Sequence, residues 1–175
     1  MKKTLLVLSI AHLVISAGIA QPENNPRSAD EVLASAKKLA ADQNKNIFLM
    51  WHASWCGWCH RMDTLMNDAE IKEYFDDNFV VEHLVVKEAK DKKDLENPGG
   101  LEMLTKYNGH TAGIPFWVVL DKNGNLLMDS FMEPGKNTGC PARQNEVDYW
   151  IKVLGKTSKI SADGLDKIAE KFLMK

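Results

Sequence analysis

The chain has 175 residues, 45% of them hydrophobic, and a formal net charge of −2. That length favours one domain, and the apolar fraction is enough for an ordinary core. No basic tract stands out, which argues against nucleic acid as a partner.

Lys2 and Lys3 form a short positive region at the N-terminus. Residues 5–15 are mostly apolar, broken by Ser9 and His12. Residues 16–20 are mostly small and end Gly-Ile-Ala before Gln21. This is the layout of a secretory signal peptide, with cleavage expected after Ala20. The apolar run is short for a retained membrane anchor. Removing residues 1–20 leaves 20 basic and 24 acidic residues, a net charge of −4. The mature protein is then expected in the periplasm or outside the cell, where disulfides form and persist. Three cysteines are too few for a disulfide scaffold, and their number is odd. Cys56 and Cys59 are close together and Cys140 is remote, so the economical reading is one functional pair and a spare.

Residues 21–27 (QPENNPR) read as a flexible leader with two prolines. Ser28 and Glu31 make a capping-box pattern. Val32, Leu33, Ala36, Leu39 and Ala40 follow at helical spacing, predicting a helix over 29–44. Residues 47–52 (IFLMWH) are a continuous apolar run, suited to a strand buried on both faces of a parallel sheet. A helix is expected from Cys56 or Gly57 to Met66, with Met62, Leu65 and Met66 on one face. A second short helix is expected over 69–75, and a second buried strand over 79–86 (FVVEHLVV). Residues 87–100 are charged and end Asn-Pro-Gly-Gly, which reads as an exposed insertion. One or two helical turns over 101–107 lead to Gly113-Ile114-Pro115 and a clear strand over 116–120 (FWVVL). Asp121 to Gly124 is a hairpin turn, with the return strand over 125–130. A loop over 133–142 holds Cys140. Helices over 144–154 and 161–174 close the chain, the last with Leu165, Ile168, Ala169 and Phe172 on one face. Residues 28–175 thus form a single domain. Strands separated by a helix are expected to be parallel in a right-handed crossover, and the last two strands antiparallel.

Residues 55–60 read WCGWCH. Taken alone, C-x-x-C-H fits a thiol–disulfide pair, a covalent haem attachment or part of a zinc site. At a strand-to-helix junction Cys56 would occupy the N-cap and Cys59 the first turn, on the same side of the helix and within reach of a disulfide. Helix-terminal amides favour an anion at the first sulfur, and C-x-x-C motifs at helix starts depress thiol pKa values. Cys56 is therefore expected to be an exposed thiolate nucleophile and Cys59 the buried resolving thiol. Trp55 and Trp58 would frame the pair as an apolar contact surface. His60 reads as a solvent-facing helix residue and His52 as a packing or hydrogen-bonding residue. The haem reading needs a further Met or His ligand. The zinc reading lacks a second C-x-x-C or H-x-x-x-H.

The strand IFLMWHAS, then WCGWC, a helix, and Gly-Ile-Pro before a later strand resemble the thioredoxin superfamily over residues 29–154. The motif HASWCGWC is more similar to exported thioredoxin-like proteins than to cytosolic thioredoxin. The resemblance implies an α/β thioredoxin-like fold, a central mixed sheet flanked by helices, here with a charged insertion and an extra C-terminal helix. It also implies a cis Pro115 facing the cysteines. With Ile114, Trp55, Gly57 and Trp58, Pro115 would contact an extended substrate segment. No cofactor or metal is expected. The implied activity is thiol–disulfide exchange by Cys56 and Cys59 with protein or peptide substrates bearing disulfides or thiols, re-reduction falling to a membrane electron-transfer partner. WCGxC resembles the reducing members more, favouring a reductase; oxidase, isomerase and chaperone-type binding roles are the alternatives. Two departures stand out. The family's buried aspartate, six residues before the first cysteine, is Met50 here, so the Cys59 proton must go to water, His52, Glu82 or His83. The usual Gly-Pro between the cysteines is Gly57-Trp58, so the family's redox poise does not carry over.

Overall fold

The computed structural model describes residues 25–174. The expected signal peptide and residues 21–24 of the leader lie outside the described residues. Arg27, at the leader's end, is held in place: its carbonyl accepts from Asn97 Nδ2 at 2.7 Å.

Helix α1 (Ala29–Gln43) starts from the expected capping box, Ser28 and Glu31 satisfying each other's amides, and ends at Asn44 in the left-handed conformation. Strand β1 (Asn46–His52) leads to α2 (Gly57–Met66). Helix α3 (Lys72–Asn78) runs directly into β2 (Phe79–Val85). It begins three residues later than the sequence predicts. The Asp68 carbonyl accepts from the amides of Ile71 and Lys72, so residues 68–71 form a turn before the helix proper.

After β2 come a 3-10 segment (Lys90–Leu95), helix α4 (Gly100–Lys106) and strand β3 (Phe116–Leu120). Strand β4 (Leu126–Asp129) returns beside β3. The expected loop over 133–142 instead opens with a small ribbon, β5 (Phe131–Glu133) against β6 (Lys136–Asn137), turning at Gly135 with φ +75°. Helices α5 (Gln144–Thr157) and α6 (Ala162–Phe172) complete the chain.

The main sheet has the order β2-β1-β3-β4. Strands β1 and β2 are parallel and joined through α2 and α3; β3 is antiparallel to β1, and β4 to β3. Because side chains alternate along a strand, β1 and β3 feed two cores. Ile47, Leu49, Trp51, Phe116, Val118 and Leu120 pack against α1 and α4. Phe48, Met50, Trp117 and Val119 pack against α2, α3, α5 and α6. Trp150 of α5 centres the second core, its ring 5.0 Å from Trp117, 5.6 Å from Phe48 and 5.7 Å from Phe172. That core fixes α2 against the sheet, and α2 carries the cysteines.

Residues 87–100 are not simply an exposed insertion. Glu88 is buried, Gly100 is buried, and Asn97 Oδ1 accepts from the Val85 amide at the end of β2. The charges of Lys90 to Asp94 do face solvent. The flanking residues tie the segment to the sheet, because amides at a strand end need partners.

Candidate active site

Cys56 is the N-cap of α2, and the Cys59 amide donates to its sulfur at 3.2 Å. The two cysteines form a disulfide with Cα atoms 5.3 Å apart. Cys59 is fully buried. Cys56, expected to be exposed, is only 3% exposed. It packs with Ala53 and Ile114, and its sulfur lies 3.6 Å from the Ile114 carbonyl oxygen. The exposed apolar surface is supplied by the neighbouring tryptophans, Trp55 at 59% and Trp58 at 51%.

The Ile114–Pro115 peptide bond is cis. Trp58, Ile114 and Pro115 line one groove of about 280 Å³, together with Asn137, Cys140 and Arg143. Trp55 and Gly57 do not line it. Trp55 stands apart and donates its indole N–H to the Lys87 carbonyl at 2.9 Å. Gly57 has open space where a Cβ would project and borders a shallow apolar hollow with Trp58, Arg61 and Met174. The groove floor is fixed by Asn137, whose side-chain amide donates to the carbonyls of Gly113 at 2.8 Å and Pro115 at 3.1 Å.

Three residues holding this site carried no signal in the sequence. Glu88 accepts from both the Ser54 amide and the Ser54 hydroxyl, bracing the turn before Cys56. Burial pushes its carboxyl up, but the Ser54 bonds and Lys92 outweigh that and hold it below the usual range. Lys87 donates to the Ala112 carbonyl at 2.8 Å, joining the Trp55 side of the site to the segment before Pro115. Arg61 donates to Cys140 Sγ and the Pro141 carbonyl, each at 3.0 Å, and to the Phe172 carbonyl at 2.7 Å. Its guanidinium carbon also lies 5.8 Å from the Trp58 ring centre.

Cys140 is free and buried at the groove's edge. Burial pushes its thiol up, and Arg61 pulls partly against this. His60 Nε2 is 2.9 Å from the Ser54 carbonyl oxygen, so this residue is a turn brace. Met50 lies wholly in the second core. Glu82 faces Arg27 at 3.5 Å. His52 and His83 pack edge to face, ring centres 5.1 Å apart, and His83 Nε2 is 2.8 Å from Asp63 Oδ1. Among the described residues no three His, Cys, Asp or Glu side chains gather as a metal-binding group.

A family model described as thioredoxin-like matches residues 29–122, more than half of the chain. The chain belongs to the thioredoxin-like family. The match spans α1 through β3, including the disulfide at the start of α2 and the cis Pro115. A thioredoxin-like fold bearing such a redox pair is that of a thiol–disulfide oxidoreductase. No curated protein matches the chain. Among solved structures, it is similar to a disulphide isomerase from Xylella fastidiosa, with 18% identity and a TM-score of 0.52 over 87% of this chain and 97% of that one. A DsbH oxidoreductase aligns at 23% identity and a TM-score of 0.41, covering 84% of this chain and 95% of its own. The C-terminal domain of DsbD from Neisseria meningitidis aligns at 18% identity and 0.41, covering 60% and 86%. The first of these likenesses supports the thioredoxin-like fold and nothing finer. Helices α5 and α6 lie beyond the residues that the family model matches.

Proposed function

We propose that this protein is an exported reductase of disulfides in protein or peptide substrates. The observation that carries the reading is the Cys56–Cys59 pair at the N-terminus of α2, with its first sulfur beside the Ile114 carbonyl and the groove along cis Pro115. In the reduced protein the Cys56 thiolate attacks one sulfur of a substrate disulfide. The other substrate sulfur leaves as a thiolate, and a mixed disulfide remains. Cys59 then gives up its proton and attacks Cys56, releasing the second substrate thiolate. Two electrons have passed to the substrate, and the Cys56–Cys59 disulfide remains to be re-reduced by a membrane electron-transfer partner.

An extended segment lying in the groove beside Ile114 and Pro115 brings its sulfur to Cys56. Exposed Trp58 offers that segment an apolar contact. The short positive region, apolar run and small residues ahead of Gln21 support export, as does a dithiol whose partners hold disulfides.

The test is reduction of a protein disulfide substrate by wild type and by Cys56→Ser, with the Cys56–Cys59 potential measured in a glutathione series. Loss of turnover in Cys56→Ser and a potential near thioredoxin's, about −270 mV, are expected. Full activity in Cys56→Ser would overturn the catalytic assignment. A potential near the strong oxidant DsbA's, about −120 mV, would reverse the direction to oxidase.

A further inference from the structure

We propose that His52, backed by His83 and Asp63, receives the proton that Cys59 releases when it resolves the mixed disulfide. This rests on the exchange reaction proposed above. It assigns the function for which Met50 offers no titratable group.

Cys59 is fully buried, so its proton has no direct exit to solvent. Met50 lies in an apolar core and accepts nothing. One strand position pair further on, β1 ends at His52, four residues before Cys56. Positions 50 and 52 share a face of the strand, the face on which Met50 packs with Met62 and Met66 of α2. On α2 itself, Asp63 lies one turn beyond Cys59, on the same side of the helix. His83, the parallel-register partner of Met50 on β2, joins these two: its Nε2 donates to Asp63 Oδ1 at 2.8 Å, and its ring packs on His52. The cluster is therefore slung between the strand ahead of the cysteines and the helix behind them.

His52 Nδ1 is buried and has no hydrogen-bond partner among the described residues. Leaving a buried ring nitrogen unpaired is costly, and such groups call for a reason. An imidazole lone pair held ready for a proton is one. The surroundings also keep the ring neutral. Burial first, then His83 and His60, push His52 below its ordinary value, while Asp63 and Glu88 pull it back up. These are the charged and titratable groups facing it: His83 from β2, Asp63 and His60 from α2, and Glu88 from the connection after β2. A neutral imidazole at neutral pH is a base. As the proton arrives, the Asp63 carboxylate, reached through His83, favours the cation that forms. The step balances: the Cys59 S–H bond breaks, its proton moves to His52, the Cys59 electron pair forms the Cys56–Cys59 bond, and the substrate sulfur leaves with the electrons of the broken mixed disulfide.

The test separates formation of the mixed disulfide from its resolution. Reduced protein is mixed with glutathione disulfide between about pH 5 and pH 9, quenched in acid, and the Cys56–glutathione adduct is followed by mass spectrometry. His52→Phe keeps a ring against His83 but takes no proton. Its adduct should form at the wild-type rate yet resolve about tenfold or more slowly near neutral pH, the gap closing as the pH rises. Asp63→Asn should slow the same step at least threefold without changing formation. Resolution within threefold of wild type in His52→Phe overturns the proposal. If His52→Phe does not fold, resolution within threefold of wild type in Asp63→Asn overturns it. A wild-type protein that forms no adduct overturns the exchange reaction itself, whereas adduct that forms and resolves normally in the variants overturns only the role of the histidine cluster.

Discussion

Cys56 and Cys140 are both nearly inaccessible, at 3% and 5% exposure, yet their surroundings oppose each other. Cys56 caps a helix and receives the Cys59 amide, an environment that favours a sulfur anion. Cys140 sits where burial raises its pKa, with Arg61 as a partial offset. Reactivity follows the thiolate fraction and access together. Timed alkylation of the reduced native protein near neutral pH should therefore label Cys56 first and leave Cys140 unmodified until a denaturant is added. Peptide mapping reads the order; labelling of Cys140 at a rate matching Cys56 would show that Arg61 dominates its environment. The motif made Cys56 and Cys59 readable from the chain, because a strand, a C-x-x-C and a helix constrain one another. Nothing local marked the role of Arg61, whose hydrogen-bond partners lie 79 to 111 residues away.

At the level of elements, the regular pieces were legible wherever the side-chain period and the caps agreed. Ser28 and Glu31 announced α1, and the apolar runs announced β1, β2 and β3. Residues 87–100 were not legible as a support, because their composition is that of a solvated loop. What decides their place is the unpaired backbone in the turn before Cys56 and at the end of β2, which Glu88 and Asn97 satisfy. The expected substitution effect is correspondingly local. Glu88→Ala removes the acceptor for both the amide and the hydroxyl of Ser54. It should cost about 1–3 kcal/mol, the usual penalty for stranding partly buried donors. Urea unfolding measures this. The same variant should slow adduct formation at Cys56, since the turn that presents it is loosened. An unchanged unfolding midpoint would mean that water replaces the carboxylate without loss.

The described residues are built around a main sheet with a core on each face, and the active-site helix belongs to the second core. That arrangement followed from alternation along β1 and β3, but the closure of the second core by α5 and α6 depends on Trp150 meeting Phe172, a contact no local pattern encodes. It also places a titrating group inside the folded structure's pH response. His52 is held below its ordinary value of 6.5, chiefly by burial and by His83. The unfolded chain takes up a proton near that value and the folded chain does not, so the unfolded state binds more protons as the pH falls. Stability is therefore fully present above about pH 6.5 and declines as the pH drops toward the folded value. Glu88 adds a second loss lower down: its folded pKa is depressed below 4.5, so its contribution fades only as the pH falls from there. Urea midpoints measured between about pH 7 and pH 5 should fall in wild type and flatten in His52→Phe, while Glu88→Ala should leave that upper step in place. If His52→Phe declines as steeply as wild type over that range, the upper step belongs to another group. If it flattens, the protein has given up acid stability to keep a neutral imidazole behind its cysteines.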